Sequence, residues 1–375
     1  MTTLLSEPAT TLYSHELNTR VWSNGRHQVR CVRIIHETHD VKTFCFNAEQ
    51  AVMFFFKPGQ FVTLELEIDG EQVMRSYTIS SSPSVPYSFS ITIKRIPGGR
   101  VSNWLHDHLK VHDEVVVHGP TGLFNCIDHT ADKVLFLSGG VGITPVMSMA
   151  RWLFDTNAEV DVAFVHSART PADLIFQREL EHMSSRVDEF VLHLICERVE
   201  PGQAWPGYRG FLDQTRLEMM VPDYMERLVF CCGPEPYMRA VRNLLQSNGF
   251  DMDFYHQESF NATPVEASQE ALEHSELAER EAEIAQEATQ FSVTCSESEV
   301  SAEALPGETV HAAAARAGIP IPKACGVGIC GTCRVLKTSG EVDMQHNGGI
   351  TDEDVAAGYI LSCCSVPRSD VAVAV

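Results

Sequence analysis

Cys325, Cys330 and Cys333 are spaced C-x4-C-x2-C, and Cys363 follows thirty residues after the third. This is the plant-type ligand spacing of a 2Fe-2S cluster. Thiolates are the soft anionic ligands that such clusters require. Gly326, Gly328 and Gly331 let the backbone between them curl tightly and aim its N–H groups at sulfur. A zinc site would be expected as two C-x2-C pairs or with histidines at close spacing, and a disulfide set would imply export. The spacing therefore predicts one-electron chemistry. Cys364 directly follows Cys363, so the fourth ligand is one of two adjacent thiols.

Further residues with chemical potential stand in an ordered series along the chain. Arg75-Ser76-Tyr77-Thr78 ends a strand-like run, and Gly98-Gly99-Arg100-Val101-Ser102 precedes a short helix. A guanidinium binds phosphate bidentately, and the N–H groups of a helix start suit a pyrophosphate. Gly139-Gly140-Val141-Gly142-Ile143-Thr144-Pro145 is a glycine turn between strand and helix, but it lacks the G-x-G-x-x-G spacing of the Rossmann fingerprint. Cys232-Gly233-Pro234 closes another predicted strand, with Cys231 directed to its opposite face. His166-Ser167-Ala168-Arg169 follows the second strand of the α/β region, where an adenosine ribose would lie. Arg169 could hold a 2′-phosphate, whereas Asp173 would repel one, which inclines the reading to NADH over NADPH. The sixteen histidines include no H-x3-H pair beside a carboxylate and no Rieske spacing, so no oxygenase site is expected in this chain. His106 and His108 read as a polar stretch of a helix.

These residues need elements to hold them, and 375 residues suggest more than one domain. Residues 1–25 read as an N-terminal extension. Over 26–130, short alternating apolar runs (Val29 to Ile35, Phe61 to Ile68, Tyr77 to Ser80, Phe89 to Arg95, Glu114 to His118) are broken by Pro-Gly, Asp-Gly and Gly-Pro turns, the pattern of an antiparallel β-barrel. Over 131–260, strands alternate with helices, which predicts an α/β domain with a parallel sheet. Residues 261–290 carry eight Glu, one Arg and no aromatic residue, and read as an acidic linker. Residues 291–375 resume short strands, with a helix over Thr309 to Ala317 and the cluster loop, enough for a small α+β cluster-holding fold.

A net charge of −22 argues against nucleic-acid binding through a basic surface. Met1 to Ser14 shows no basic region followed by an apolar run, and no stretch of 18 apolar residues occurs, so neither a signal peptide nor a membrane span is expected. The expected location is cytoplasmic. The twelve cysteines then read as reduced thiols or cluster ligands.

In this order the motifs resemble the ferredoxin-NADP reductase superfamily, whose flavin barrel carries R-x-Y-[ST] followed by a glycine-serine phosphate motif. The resemblance implies that Arg75 pairs with the flavin phosphate, with Ser76 in the same segment, that Tyr77 packs on the isoalloxazine, that Thr78 hydrogen-bonds near its N5, and that Lys94 lies along the same site. It implies that Gly99, Arg100, Val101 and Ser102 hold a pyrophosphate, and hence FAD and not the FMN of relatives that lack this motif. Gly139, Gly140 and Gly142 would receive the nicotinamide dinucleotide, with Thr144 facing the space between flavin and nicotinamide and Ser167 and Arg169 at the ribose. Cys232, with Gly233 and Pro234, would lie near the reacting carbon, Glu258 would help orient the nicotinamide, and the Phe260 ring would lie by the flavin. The family's fourth cysteine follows a Leu-x step, which selects Cys363 over Cys364. The C-terminal module then implies a β-grasp ferredoxin. From about residue 26 onward, the whole order resembles the reductase components of Rieske oxygenases and the NADH oxidoreductase serving the hybrid-cluster protein. The resemblance implies electron flow from NADH through FAD and the 2Fe-2S cluster to a Rieske-type oxygenase subunit, or alternatively to a hybrid-cluster protein. A redox-sensing subunit without turnover is a further alternative, against which the Thr144, Cys232 and Glu258 set argues.

Overall fold

The computed structural model describes residues 22, 25–48, 52–199, 201–202, 204–260, 291–296, 300–305, 307–319, 321, 328, 331–346 and 350–375. The chain forms two compact units, Met1–Phe260 and Asn261–Val375, and each is described by itself. The expected linker 261–290 and most of the expected N-terminal extension lie outside the described residues.

The first unit opens with six antiparallel strands: β1 (Gly25–His36), β2 (Val41–Ala48), β3 (Phe61–Ile68), β4 (Glu71–Thr78), β5 (Phe89–Lys94) and β6 (Glu114–Thr121). Their order is β4-β3-β6-β1-β2-β5, and the sheet curls until one bridge, Ile79 to Ile91, joins its two edges. Closure at a single residue pair is narrower than the full barrel ladder that the strand pattern suggests. Asp69 and Gly70 take φ of 57° and 79° between β3 and β4, the left-handed pair that matches a tight hairpin to the strands' twist. Phe44, Phe46, Phe54, Phe89, Ile91 and Trp22 fill the interior. Helix α1 (Arg100–His108) follows β5. Two strands depart from the sequence reading. β2 (VKTFCFNA) was not anticipated because Lys42, Thr43 and Asn47 interrupt its apolar run. The serines after Thr78 leave the ladder, because β4 occupies the polar stretch Glu71–Thr78 upstream.

From Lys133 the chain builds a parallel sheet: β7 (Lys133–Gly139), β8 (Asp161–Ala168), β9 (Phe190–Cys196), β10 (Tyr208–Arg209), β11 (Leu228–Cys232) and β12 (Tyr255–Glu258). The helices between are α2 (Ile143–Asp155), α3 (Gln177–Arg186), α4 (Gln214–Met220) and α5 (Glu235–Ser247). Strand order is β10-β9-β8-β7-β11-β12. Val134 to Gly139 are all buried, as expected of a strand covered on both faces. Phe136, Phe164 and Phe230 pack on one face, and Leu135, Val165 and Cys231 on the other. The connection order reverses between β7 and β11, which places a crevice at the carboxyl ends of those two strands.

The second unit contains β13 (Phe291–Cys295), β14 (Val300–Ala304), α6 (Val310–Arg316), β15 (Arg334–Ser339), β16 (Val342–Met344), α7 (Asp352–Ala356), β17 (Tyr359–Leu361), β18 (Ser365–Pro367) and β19 (Val371–Ala374). Five strands form one mixed sheet, β14-β13-β19-β15-β17, and β16 pairs with β18. The Thr309 hydroxyl accepts from the Ala312 amide and caps α6, whose small Ala313 and Ala314 are buried against the sheet. Among the described residues no helix is long and apolar enough to cross a membrane.

Candidate active site and cluster loop

At the reversal of strand order, parallel pairing aligns Glu258 with Cys232, Cys232 with Ser138, and Ser138 with His166, so four polar residues cross four adjacent strands in one row. Residues in register on parallel strands share a face, here the face of Phe136, Phe164 and Phe230. Ser138 Oγ and His166 Nδ1 are 2.8 Å apart. Complete burial draws the imidazole pKa down to about 4, so His166 is neutral. Glu258 is 8% exposed, and burial pushes its carboxyl up to about 8 against the opposing pull of the neighbouring Thr78 hydroxyl. Its Oε2 is buried with no hydrogen-bond partner. Burial also raises the Cys232 thiol well above its ordinary range, with Glu258 adding to the effect. Cys232 is thus a neutral packing group, and a thiol held in that form is not a nucleophile.

Glycines bring the backbone of this crevice together. A Cβ on Gly142 would lie 2.5 Å from both the carbonyl carbon and oxygen of Cys232, and one on Gly233 would meet Tyr237 at 2.7 Å. A Cβ on Gly139 would meet Tyr237 at 3.1 Å and Pro234 at 3.2 Å. Gly140 takes φ of 52° and has open space before it. The buried Thr144 hydroxyl donates to the Val141 carbonyl at 3.1 Å and ties the turn to the first residues of α2.

On the barrel side, β4 carries Arg75 and Tyr77 on one face and turns Ser76 to the other, where its hydroxyl is 2.8 Å from that of Thr63. Arg75 Nη2 donates to the Phe260 carbonyl at 3.4 Å, so the segments expected beside the flavin meet directly. Phe260 packs on the parallel-sheet core and Tyr77 on the barrel core, where burial raises its phenol. Lys94 is ion-paired with Asp40. Gly99 is the N-cap of α1 and supplies no side-chain capping bond, and no acidic residue lies in the first turn. The helix start therefore presents its N–H groups unneutralised, a suitable seat for an anion. Val101 packs on the barrel core, and Ser102 turns inward to accept from the Ile96 amide at 3.2 Å. Arg100 bonds Glu71 at 2.7 Å and the Ile68 carbonyl at 2.8 Å, which ties the helix start to the β3–β4 hairpin.

At the end of β8, Ser167 is partly buried and Arg169 is exposed. Asp173 accepts from the Thr170 amide and hydroxyl at 3.1 and 2.7 Å, so its carboxylate is engaged by its own loop. Of the expected cluster ligands, Cys325 and Cys330 lie outside the described residues. Cys333 and Cys363 are buried together: the Ser362 amide and hydroxyl both donate to the Cys333 carbonyl, at 3.1 and 3.0 Å, and this holds Cys363 beside Cys333. Gly328 and Gly331 take φ of 70° and 68°, as a tightly curled loop requires.

Three family models match the chain: an oxidoreductase FAD-binding domain over residues 28–126, an oxidoreductase NAD-binding domain over 136–243, and a 2Fe-2S iron-sulfur cluster binding domain over 293–368. The glycine betaine monooxygenase reductase subunit of Pseudomonas aeruginosa is 65% identical over 364 residues, 96% of this chain and 98% of that one. The chain belongs to the ferredoxin-NADP reductase superfamily with a C-terminal 2Fe-2S ferredoxin. This reductase is also 30% identical to the NADH oxidoreductase HCR of Escherichia coli, over 91% of its own length and 95% of that protein's. In fold it resembles phthalate dioxygenase reductase, with a TM-score of 0.57 at 24% identity, covering 94% of this chain and 98% of that one. The reductase is an oxidoreductase with FAD-binding, NAD-binding and 2Fe-2S domains. Its residues fit these groups: an uncapped helix start for a phosphate, a glycine turn with open space before Gly140 for a dinucleotide, and two buried cysteines whose segments are bonded together through Ser362. Sequence reasoning gave no role to Ser138 or Arg151, and named His166 only as the head of the segment expected at the ribose. Ser138 has no motif of its own. Arg151 did leave a signal, as the one charge inside the run Pro145 to Phe154.

Proposed function

We propose that this reductase takes electron pairs from NADH and delivers them singly to a Rieske-type non-haem iron oxygenase subunit that demethylates glycine betaine to dimethylglycine. The observation that carries this reading is 65% identity, sustained over 96% of the chain, to the reductase subunit named for that monooxygenase. Bound FAD would accept the pair as hydride and the 2Fe-2S cluster would pass electrons one at a time. The chain's own residues would position the reactants. Arg75 and the α1 start, Gly99 to Ser102, would hold the flavin phosphates. Tyr77 and Phe260 would flank the ring, with Ser76 and Lys94 bracing the site through Thr63 and Asp40. Gly139, Gly140, Gly142, Gly233 and Pro234 would admit the dinucleotide backbone, and Ser167 and Arg169 the ribose. Thr78, Cys232, Glu258 and Thr144 would line the gap where hydride moves. Glu258 would enter it as a neutral acid, a hydrogen-bond donor that brings no charge beside the nicotinamide. Cys325, Cys330, Cys333 and Cys363 would ligate the cluster.

Anaerobic stopped-flow mixing with NADH and NADPH, followed by reconstitution with the oxygenase subunit and glycine betaine, tests the proposal. Fast flavin bleaching by NADH, cluster reduction and formaldehyde release are expected. Absence of bleaching with either nucleotide would overturn the reductase assignment. A second reading takes a hybrid-cluster protein as acceptor and is supported by the 30% identity to NADH oxidoreductase HCR. Faster turnover with that partner than with the oxygenase would favour it.

A further inference from the structure

One stripe of α2 is bonded to the segment that follows Thr78. Ser148 donates from Oγ to the Ser81 carbonyl at 2.7 Å, Arg151 donates from Nη1 to the Ser80 carbonyl, and Asp155 accepts from the Ser84 hydroxyl. Spacings of three and four residues place these side chains on one helix face. Arg151 is itself immobilised. Its Nε and Nη2 each donate at 2.7 Å to the two Glu179 oxygens, and its guanidinium lies 4.5 Å from the centroid of the Phe176 ring. Its side chain is 16% exposed. Phe176 takes φ of 59°, a conformation that bulky residues adopt only when their surroundings impose it.

Ser80 is held equally firmly from the barrel. It is fully buried, its amide donates to the Ser90 carbonyl at 2.8 Å, and its hydroxyl lies 2.8 Å from Thr92 Oγ1. Thr92 is bonded in turn to Thr43, whose hydroxyl donates to Glu37 at 2.6 Å. Ile79, between Thr78 and Ser80, is bridged to Ile91. Hence the Ser80 carbonyl cannot move without moving Thr78, and Arg151 is the link from that carbonyl to the helix that begins at the glycine turn. A single aliphatic side chain could fill this space but could not address two carboxylate oxygens and a carbonyl at fixed angles, as a planar guanidinium does.

We propose that Arg151 is a positioning residue for hydride transfer, fixing the gap between the Gly139–Thr144 turn and Thr78 through the Ser80 carbonyl. This rests on the reading above in which those two segments bear nicotinamide and flavin. Hydride moves only when donor and acceptor carbons are close, so a small displacement of one segment against the other lowers the chemical step more than it lowers binding.

The test compares the full-length protein with Arg151→Met, Arg151→Lys and Ser148→Ala. In flavin-stripped protein, amide hydrogen exchange at Ile79 and Ser80 is expected to rise about tenfold in Arg151→Met, because local opening becomes easier. In loaded protein, flavin and iron content and the NADH Kd should stay within about twofold, while the flavin-bleaching rate at saturating NADH falls roughly tenfold to a hundredfold. The isotope effect with C4-deuterated NADH should grow, and Arg151→Lys should recover part of the rate. Accelerated exchange with an unchanged bleaching rate and isotope effect would make Arg151 merely structural and overturn the proposal, as would unchanged exchange. Should Arg151→Met fail to fold, Ser148→Ala deletes one bond of the same seam and is expected to slow bleaching about threefold; an unchanged rate there overturns the proposal equally. If the parent protein itself is not bleached by NADH, the underlying reductase reading falls, which the exchange data alone would not reveal.

Discussion

Glu258 carries its carboxyl into the protein at the last position of an edge strand of the parallel sheet, beside Cys232 and Thr78. Its pKa is about 8 when folded against an ordinary 4.5. Between those values the folded chain holds a proton that the unfolded chain has released. By linkage this contribution to stability is complete below about pH 4.5 and is lost as pH rises through about 8. The melting temperature of the flavin-free protein should therefore fall from pH 5 to pH 8, and Glu258→Gln, which cannot titrate, should flatten that fall. Parallel melting curves for the two proteins would refute the buried-acid assignment. The adjacent thiols offer a second contrast. Cys363 is held beside Cys333 by the paired Ser362 bonds, whereas Cys364 Sγ donates to the Leu361 carbonyl at 3.5 Å. Cys363→Ser should abolish the visible bands of the cluster and Cys364→Ser should leave them in place, as absorbance and iron content would report.

At the scale of elements, the strand-turn-helix from Lys133 to Asp155 was legible because a continuous apolar run, three glycines and a proline each have a fixed structural meaning. What the glycines do separately was not legible. Gly142 has φ of −64°, which any residue can adopt, yet an added Cβ would strike the Cys232 backbone. Gly140 has the converse problem, open space with φ of 52°. Gly142→Ala should cost about 1–3 kcal/mol through overpacking that backbone cannot relieve. Gly140→Ala should cost about 1 kcal/mol, from the left-handed backbone alone. Denaturant titration of both variants checks the order, and a milder Gly142→Ala would mean that the β7 and β11 ends separate easily. In the phosphate motif the Ser102 and Arg100 side chains bond the Ile96 amide and the Glu71 hairpin, so a phosphate there would be met by the backbone N–H groups of the helix start.

Across the whole molecule, a net charge of −22 makes encounter with a basic partner surface favourable at low ionic strength. Screening shortens the reach of such attraction to about 8 Å at physiological salt. Electron delivery to the oxygenase subunit should therefore slow several-fold between about 50 and 300 mM salt. Flavin bleaching by NADH, an event inside the first unit, should change much less. Equal salt sensitivity of the two steps in stopped-flow traces would argue against electrostatic docking.

Local chemistry needs no long-range information, and the sequence by itself determined that part of this protein. Thiol spacing specified the cluster type, the composition of 261–290 set off two folding regions, and periods of alternation specified a sheet domain followed by an α/β domain. The motif order carried the family. Tertiary structure alone decided what depends on residues far apart in sequence. Register across β8, β7, β11 and β12 brings His166, Ser138, Cys232 and Glu258 into one row, and burial there makes Glu258 an acid at neutral pH. The bond from Arg151 to the Ser80 carbonyl, seventy-one residues away, is invisible to any local pattern, because it exists only once α2 packs against the segment beyond β4.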